Sequence, residues 1–171
     1  GEALETLRAY LEGSRSIEAA ARTLFVHANT VRYRLRRITE LTGHDPTTPR
    51  GGLALQLALM LGDSYANVRF NAATGLARHG DRRSIPVLIE MLDPNNAQIA
   101  ESEGDESGIE LKRIRVLATA LQAVRQLAQA DPTADLKNLE CSVSKLLESD
   151  VHLGIKDEAM KVLKHLKGPL R

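Results

Sequence analysis

The fold of this chain is decided by residues 14–43, whose sequence is SRSIEAAARTLFVHANTVRYRLRRITELTG. Apolar residues recur here at three- and four-residue spacing, which is typical of amphipathic α-helices. A short alanine-rich helix with Ser16 as its cap is followed by a tight break and a longer arginine-rich helix. The small side chains of residues 19–21 permit a steep helix crossing, and residues 24–26, centred on Phe25, supply an apolar turn. This outline predicts a helix-turn-helix.

The longer helix has an apolar and a polar face. At about 100° per residue, one side holds Val31, Leu35, Ile38 and Leu41. The opposite side holds Asn29, Arg32, Tyr33 and Arg36. Residues 26–44 contain four arginines against one glutamate, whereas solvated helices usually mix charges of both signs. The pattern favours a nucleic-acid-binding face, although an ordinary solvated surface is the alternative.

Arginine and asparagine are the side chains that pair bidentately with guanine and adenine edges, and further arginines and hydroxyls hold phosphates. The N-terminal end of a recognition helix usually enters the major groove. We therefore expect the residues nearest the bases to be His27, Ala28, Asn29, Arg32 and Tyr33. Those expected on the DNA backbone are Arg34, Arg36 and Arg37, and Thr30 completes the predicted interface.

Four stretches of the first sixty residues follow a known pattern. They are LETLRAYL at 4–11, SIEAAA at 16–21, VHANTVRYRLRRI at 26–38 and LALQLAL at 53–59. With them, residues 4–61 resemble the helix-turn-helix domain of the PucR-like bacterial regulators, which include purine-catabolism and sugar-diacid activators. The resemblance implies a DNA-binding domain of a transcription regulator. Ala28 stands where the family often has arginine, and the family usually carries this domain at the C-terminus, whereas here it comes first.

The rest of the chain suggests a repeat. Residues 63–93 contain VR at 68–69, AA at 72–73, LA at 76–77, GD at 80–81 and IP at 85–86, followed by Leu88 and Leu92. These features resemble a bacterial HEAT-type repeat, and a weaker copy with a closing helix follows up to residue 168. Each helix pair of such a repeat buries its apolar face only against its neighbours, so we expect a short α-solenoid. Asn67 and Asn71 are expected to form hydrogen bonds between repeats.

The whole chain is predicted to be all-α, since no apolar/polar alternation is long enough for a strand. Helices are expected at 2–12, 16–23, 27–42, 51–61, 65–79, 82–92, 109–130, 135–149 and 152–167. Turn residues, including those at 43–46 and 49–52, mark the breaks, and residues 95–108 are expected to form a mobile acidic loop. Domains are predicted at 1–62 and 63–171, rigidly sharing helix 51–61.

Composition and charge are those of an ordinary globular protein, with 43% hydrophobic residues and 23 Lys+Arg against 22 Asp+Glu. The net charge of +1 does not by itself indicate a nucleic-acid partner. Cys141 is the single cysteine, so no internal disulfide is possible and we expect a reducing, cytoplasmic setting. No apolar run approaches the roughly 20 residues needed to cross a bilayer, so no membrane association is expected.

The sequence contains no recognisable catalytic motif. It lacks a phosphate-binding glycine loop, the His-Glu-x-x-His zinc pattern and the Gly-x-Ser-x-Gly nucleophile pattern. His79 and His152 fall at predicted helix ends, where capping or solvent exposure is the expected role. We therefore predict no enzyme activity, no cofactor and no metal.

The leading hypothesis is sequence-specific binding of double-stranded DNA as part of a bacterial transcription regulator. Because one recognition helix covers few base pairs, a homodimer on two half-sites is expected. The HEAT-like part would bind a protein partner. The alternative is an engineered or recombined fusion, or an interaction scaffold, with no DNA-binding role of its own; a start at Gly1 and the unusual domain order favour that alternative.

Overall fold

A computed structural model describes residues 1–99 and 105–167. All regular structure within these ranges is helical, which confirms the all-α prediction. The α-helices are α1 (Glu2–Glu12), α2 (Ile17–Thr23), α3 (Ala28–Thr42), α4 (Pro49–Met60), α5 (Ala66–Arg78), α6 (Ile85–Met91), α7 (Glu106–Ala130), α8 (Lys137–Glu148) and α9 (Leu153–Leu166). Short 3₁₀ turns occupy Arg82–Ser84 and Ala97–Ile99. Every predicted helix is present, with each end within three residues of its expected position.

The described chain divides into two compact units, of which the first is Gly1–Leu59 and the second begins at Met60. Leu55 and Leu59 of α4 pack in the core of the first unit. Leu61 packs in the core of the second unit. The rigid sharing of this helix by two domains stays a prediction. None of the described helices is long and apolar enough to span a bilayer.

In the first unit, α1, α2 and α3 pack around one small core. Its buried side chains are Leu7, Tyr10, Ala20, Ala21, Val31, Leu35, Ile38 and Leu55. Ser16 caps α2 as predicted, because its hydroxyl oxygen accepts a hydrogen bond from the backbone N–H of Ala19 at 3.2 Å. Leu41, expected on the apolar side of α3, is 67% exposed, and Phe25 of the predicted apolar turn is 96% exposed. The apolar face of α3 is therefore shorter than the sequence suggested.

The start of α4 corrects a predicted break. Residues 49–52 were expected to interrupt the chain because proline and glycine end helices, yet α4 begins at Pro49. Proline is favoured in the first helical turn, where its missing N–H costs nothing. The hydroxyl oxygen of Thr48 accepts a hydrogen bond from the N–H of Gly51 at 3.1 Å, so it caps this end. The proline and glycine pattern thus marks a helix start and not a loop.

In the second unit, α5 packs on α6 and α7, and α9 packs on α7 and α8. The largest fully buried side chains include Leu88, Leu117, Leu121, Leu139 and Leu146. Burying apolar surface of this kind stabilises by about 25 cal/mol per Å². The second unit is thus built from helices that pack on their neighbours in the chain, α5 with α6 and α8 with α9, as expected for a helical repeat.

Side chains cap the N-terminal ends of α7 and α9, and the cap of α7 shortens the predicted acidic loop. α7 begins at Glu106, because the carboxylate of Asp105 caps it by accepting from the N–H of Gly108 at 2.7 Å, so the predicted acidic loop 95–108 is shorter at this end. Residues 100–104 of that loop lie outside the described residues. The ring Nδ1 of His152 accepts from the N–H of Gly154 at 3.1 Å and caps α9, in agreement with a capping role.

Candidate nucleic-acid interface

α3 turns most of the predicted DNA-binding residues to solvent. Val31, Leu35 and Ile38 are buried, which fixes the helix on the core of the first unit. The exposed predicted residues are His27, Asn29, Arg32, Tyr33, Arg36 and Arg37. Ala28, Thr30 and Arg34 are half-buried. The helix thus presents a continuous cationic and hydrogen-bonding surface on the side opposite its core face.

The N-terminal end of α3 is organised by His27. This residue is the N-cap, and its ring Nδ1 accepts a hydrogen bond from the backbone N–H of Asn29 at 3.1 Å. In a neutral ring with Nδ1 accepting, the proton is on Nε2, which becomes a donor. Helix N-termini attract anions through free backbone N–H groups and the helix dipole. This end of α3 is therefore suited to a phosphate group.

Asn29 and Arg32 form a pair on the exposed face of α3. One guanidinium nitrogen of Arg32 donates to Oδ1 of Asn29 at 2.9 Å, and the other lies 3.4 Å from a carboxylate oxygen of Glu18 on α2. The side chains of Arg32 and Glu18 are 49% and 62% exposed, so this ion pair is weak. The guanidinium is held over the helix surface and can exchange Glu18 for another acceptor.

The remaining exposed arginines of α3 differ in their partners. Arg37 pairs with Glu40 at 2.9 Å on an exposed part of the helix. Arg36 has neither an ion pair nor a side-chain hydrogen bond within residues 1–99 and 105–167. Tyr33 is 68% exposed beside them. Arg36 is therefore the arginine of α3 with the greatest freedom to bind a new anion.

Arg34 lies apart from this surface. Its guanidinium bonds to a carboxylate oxygen of Glu2 at 2.6 Å and to Oγ1 of Thr6 at 3.3 Å, and its side chain is only 18% exposed. Thr6 is fully buried and donates to the carbonyl oxygen of Glu2 at 2.8 Å. Arg34 thus ties α3 to α1. Arg34 lies three residues after Val31, at about 300° on the helical wheel and so within the apolar sector, which is a signal in the sequence that separates it from the exposed arginines.

Phe25 occupies the turn between α2 and α3 in an unusual conformation. Its φ angle is 54°, in the left-handed region where residues with a side chain cost roughly 1–2 kcal/mol. Phe25 lies in the turn as predicted, but its ring is 96% exposed. The backbone turns here as glycine-containing turns do, and the side chain consequently points away from the core.

Among the described residues, no group of three His, Cys, Asp or Glu side chains is placed so that it could hold a metal ion. What α3 provides is a set of hydrogen-bond donors and positive charges on one exposed helix face. Such a face can bind phosphates and the edges of bases.

Comparison with known proteins divides the chain in the same way. Residues 3–61 match the family described as the PucR C-terminal helix-turn-helix domain. These residues are therefore similar to the helix-turn-helix of the PucR family. Residues 68–94 match the PBS lyase HEAT-like repeat. Both resemblances predicted from the sequence are confirmed, the second for its first repeat.

Several curated proteins are similar to the same part of the chain. An uncharacterised protein of Mycobacterium tuberculosis is 59% identical over 59 residues, which are 34% of this chain and 14% of that protein. The proline-responsive transcriptional activator PutR of Bacillus subtilis is 43% identical over 60 residues, 35% of this chain and 15% of the activator. The purine catabolism regulatory protein of the same organism is 43% identical over 58 residues, 34% of this chain and 11% of that regulator.

The matches are local. The chain covers about one seventh of the mycobacterial relative, 14% of its length. No solved structure matches the chain. An origin as an engineered or recombined fusion stays a prediction.

Proposed function

We propose that the first unit binds double-stranded DNA sequence-specifically, as the DNA-binding part of a bacterial transcription regulator. The observation that carries this proposal is the exposed face of α3, where the Asn29–Arg32 pair lies next to an unpaired Arg36 within the described chain. Regulators that share the domain support it. The absence of enzyme activity and of a cofactor remains a prediction.

The residues of α3 have distinct roles in this proposal. The N-terminal end of the helix enters the major groove, where Asn29 and Arg32 reach base edges and the pair specifies sequence. Arg36 and Arg37 bind phosphates, and so does His27 through Nε2. Arg34 does not reach DNA in this scheme. It positions α3 through Glu2 and Thr6 on α1.

Two copies of the domain are proposed to act together. One recognition helix covers only a few base pairs, so tight and specific binding calls for two half-sites about one helical turn apart. The protein would then be a homodimer on a partly palindromic site. Its place of action would be the cytoplasm, where bacterial DNA is accessible.

The direct test is selection of bound sequences from a random duplex pool, followed by titration of the best sequence at 50 and 200 mM salt. The phosphate contacts of Arg36 and Arg37 predict a fall in affinity of about 10-fold over this range for one copy of the domain and about 100-fold for the proposed dimer, because each neutralised phosphate releases a counterion. A fluorescence-anisotropy titration measures it. The proposal fails if no duplex binds at 50 mM salt, or if the affinity is independent of salt.

We also propose that the HEAT-like unit binds an extended peptide segment of a partner protein. A cleft of about 490 Å³ is lined by residues of α5 and α7, and its lining includes the buried Phe70 and Met91. Asn67 and Asn71, one turn apart on α5, line it and are exposed, and within the described residues their amides make none of the expected inter-repeat bonds. A side-chain amide offers a donor and an acceptor, which match those of an extended peptide backbone. Arg115 across the cleft would pair with an acidic side chain.

A displayed peptide library offered to the full chain tests this second role. Selected peptides should contain an acidic residue, and the variant carrying Asn71→Ala and Arg115→Glu should bind them at least about 10-fold more weakly, as expected for two lost polar contacts. Lys164→Glu on α9 is the control, because its position is exposed and outside the cleft while it makes the same charge change. Equal binding by the double variant would contradict the proposal.

A further inference from the structure

Phe25 is the most exposed of the large apolar side chains in the part of the chain that the structure describes. Its ring is 96% exposed, against 74% for Tyr65 and 68% for Tyr33. A single exposed apolar residue is not unusual in itself. Phe25 differs from the other exposed residues named here because its backbone also has a positive φ angle, which disfavours a residue with a large side chain.

The conformation of Phe25 is fixed by the turn. The N–H of Leu24 donates to the carbonyl of Ala20 at 3.0 Å, the N–H of Phe25 to that of Arg22 at 3.3 Å, and the N–H of Val26 to that of Ala21 at 3.0 Å. These bonds hold φ of Phe25 at 54°. Glycine adopts such angles freely and asparagine tolerates them, whereas a large aromatic residue does not. The phenylalanine therefore stabilises neither the turn nor the core, so an explanation must lie outside the folded domain.

The position of Phe25 suggests what its ring contacts. It precedes by two residues the N-cap His27, so it lies at the same end of α3 that is proposed to enter the groove. The helix surface beside it is cationic and bears Asn29 and Arg32. An apolar ring at the border of such a surface has suitable partners in DNA, since thymine methyl groups and deoxyribose rings are apolar.

We propose that Phe25 is a DNA contact, with its ring packed on the apolar edge of a nucleotide beside the N-terminus of α3. This inference rests on the proposed DNA binding. The ring gains in the complex the burial that it lacks in the free protein. Loss of the contact affects binding without affecting the fold.

The test is Phe25→Gly in the full chain, measured for both stability and affinity. Glycine relieves the left-handed backbone, so the melting temperature should equal or exceed that of the wild type. Affinity for the selected duplex should fall about 10-fold, as expected for the loss of one buried aromatic contact. Tyr65→Ala is the control, since it removes an aromatic ring that is 74% exposed in the second unit, and its DNA affinity should be unchanged.

Each outcome has one meaning. If the wild type binds no duplex, the proposed function fails and the inference fails with it. If the wild type binds and Phe25→Gly binds equally well, the inference alone is wrong. A loss of affinity accompanied by dissociation of a dimer, seen by sedimentation, assigns the ring to self-association and also overturns it. If the contact is confirmed, duplexes with uracil in place of thymine show which group the ring touches. A lower affinity of the wild type, with no change for Phe25→Gly, assigns the contact to a thymine methyl group. An unchanged affinity of the wild type assigns it to the deoxyribose.

Discussion

The variant carrying Arg32→Ala and Arg36→Ala should bind its selected duplex about 100-fold more weakly than the wild-type protein. A bidentate contact to a base contributes roughly 1–3 kcal/mol of discrimination, and 1.4 kcal/mol is a factor of ten in affinity. Loss of one base contact and one phosphate contact gives the expected factor. Anisotropy titration at fixed salt measures it.

The fold should survive this double change. Within residues 1–99 and 105–167, the guanidinium of Arg32 bonds only to the exposed Asn29 and Glu18, and that of Arg36 has no hydrogen-bond or ion-pair partner. Exposed ion pairs contribute about 0–1 kcal/mol, so the melting temperature should shift little. The matched control is the variant with Arg78→Ala and Arg113→Ala, which removes two arginines from the second unit. Its affinity should stay close to that of the wild type.

The single variants separate the two proposed roles. Arg32→Ala should relax the sequence preference at one position of the site, because a base contact is lost. Arg36→Ala should weaken binding to every duplex alike and reduce the slope of log affinity against log salt by about one for each copy bound. Equal affinities of the double variant and the wild type would contradict the assignment of this face to DNA.

Hydrophobic periodicity predicts correctly which side of α3 is buried, but not how far the buried side extends along the helix. Val31, Leu35 and Ile38 are buried as predicted. Leu41 shares their side, but it lies on the last turn next to the Gly43 cap, where it is 67% exposed. A helical wheel gives direction only, and it does not say how far along the helix a neighbouring helix extends.

In the candidate site, the roles of single residues also depend on tertiary packing that local sequence does not show. Arg34 is one of four arginines within six residues, and composition alone gives it the same role as the others. Its partners Glu2 and Thr6 are 32 and 28 residues earlier in the chain, so the ion pair depends on the packing of α1 against α3. Phe25 is a second example, since an apolar residue in a turn is normally expected to be buried and its φ of 54° is not encoded by residue type.

Gly51 is the position where local propensity and tertiary contact predict opposite effects. Glycine inside a helix is less stable than alanine by roughly 0.5–1 kcal/mol, so Gly51→Ala should stabilise α4 if propensity decides. A β-carbon at this position would lie 2.1 Å from the carbonyl oxygen of Asp45 and 2.8 Å from Oγ1 of Thr48. These atoms cannot be displaced without breaking bonds, because the same carbonyl accepts from the hydroxyl of Thr48 at 2.9 Å and from its N–H at 3.2 Å.

We therefore expect Gly51→Ala to destabilise the first unit by about 1–3 kcal/mol, the usual effect of adding a methyl group where there is no space. Hydrogen exchange in the full chain measures it, with amides of α1–α3 exchanging faster and the second unit serving as an internal reference. Leu53→Ala on the same helix is the control, because Leu53 is 53% exposed and its truncation leaves no cavity. Slower or unchanged exchange in Gly51→Ala would show that the 45–51 segment can move to accommodate a methyl group, and that glycine is not required at this position. The expected loss would show that the close approach of the Asp45 carbonyl, and not the flexibility of a loop, requires glycine at this position.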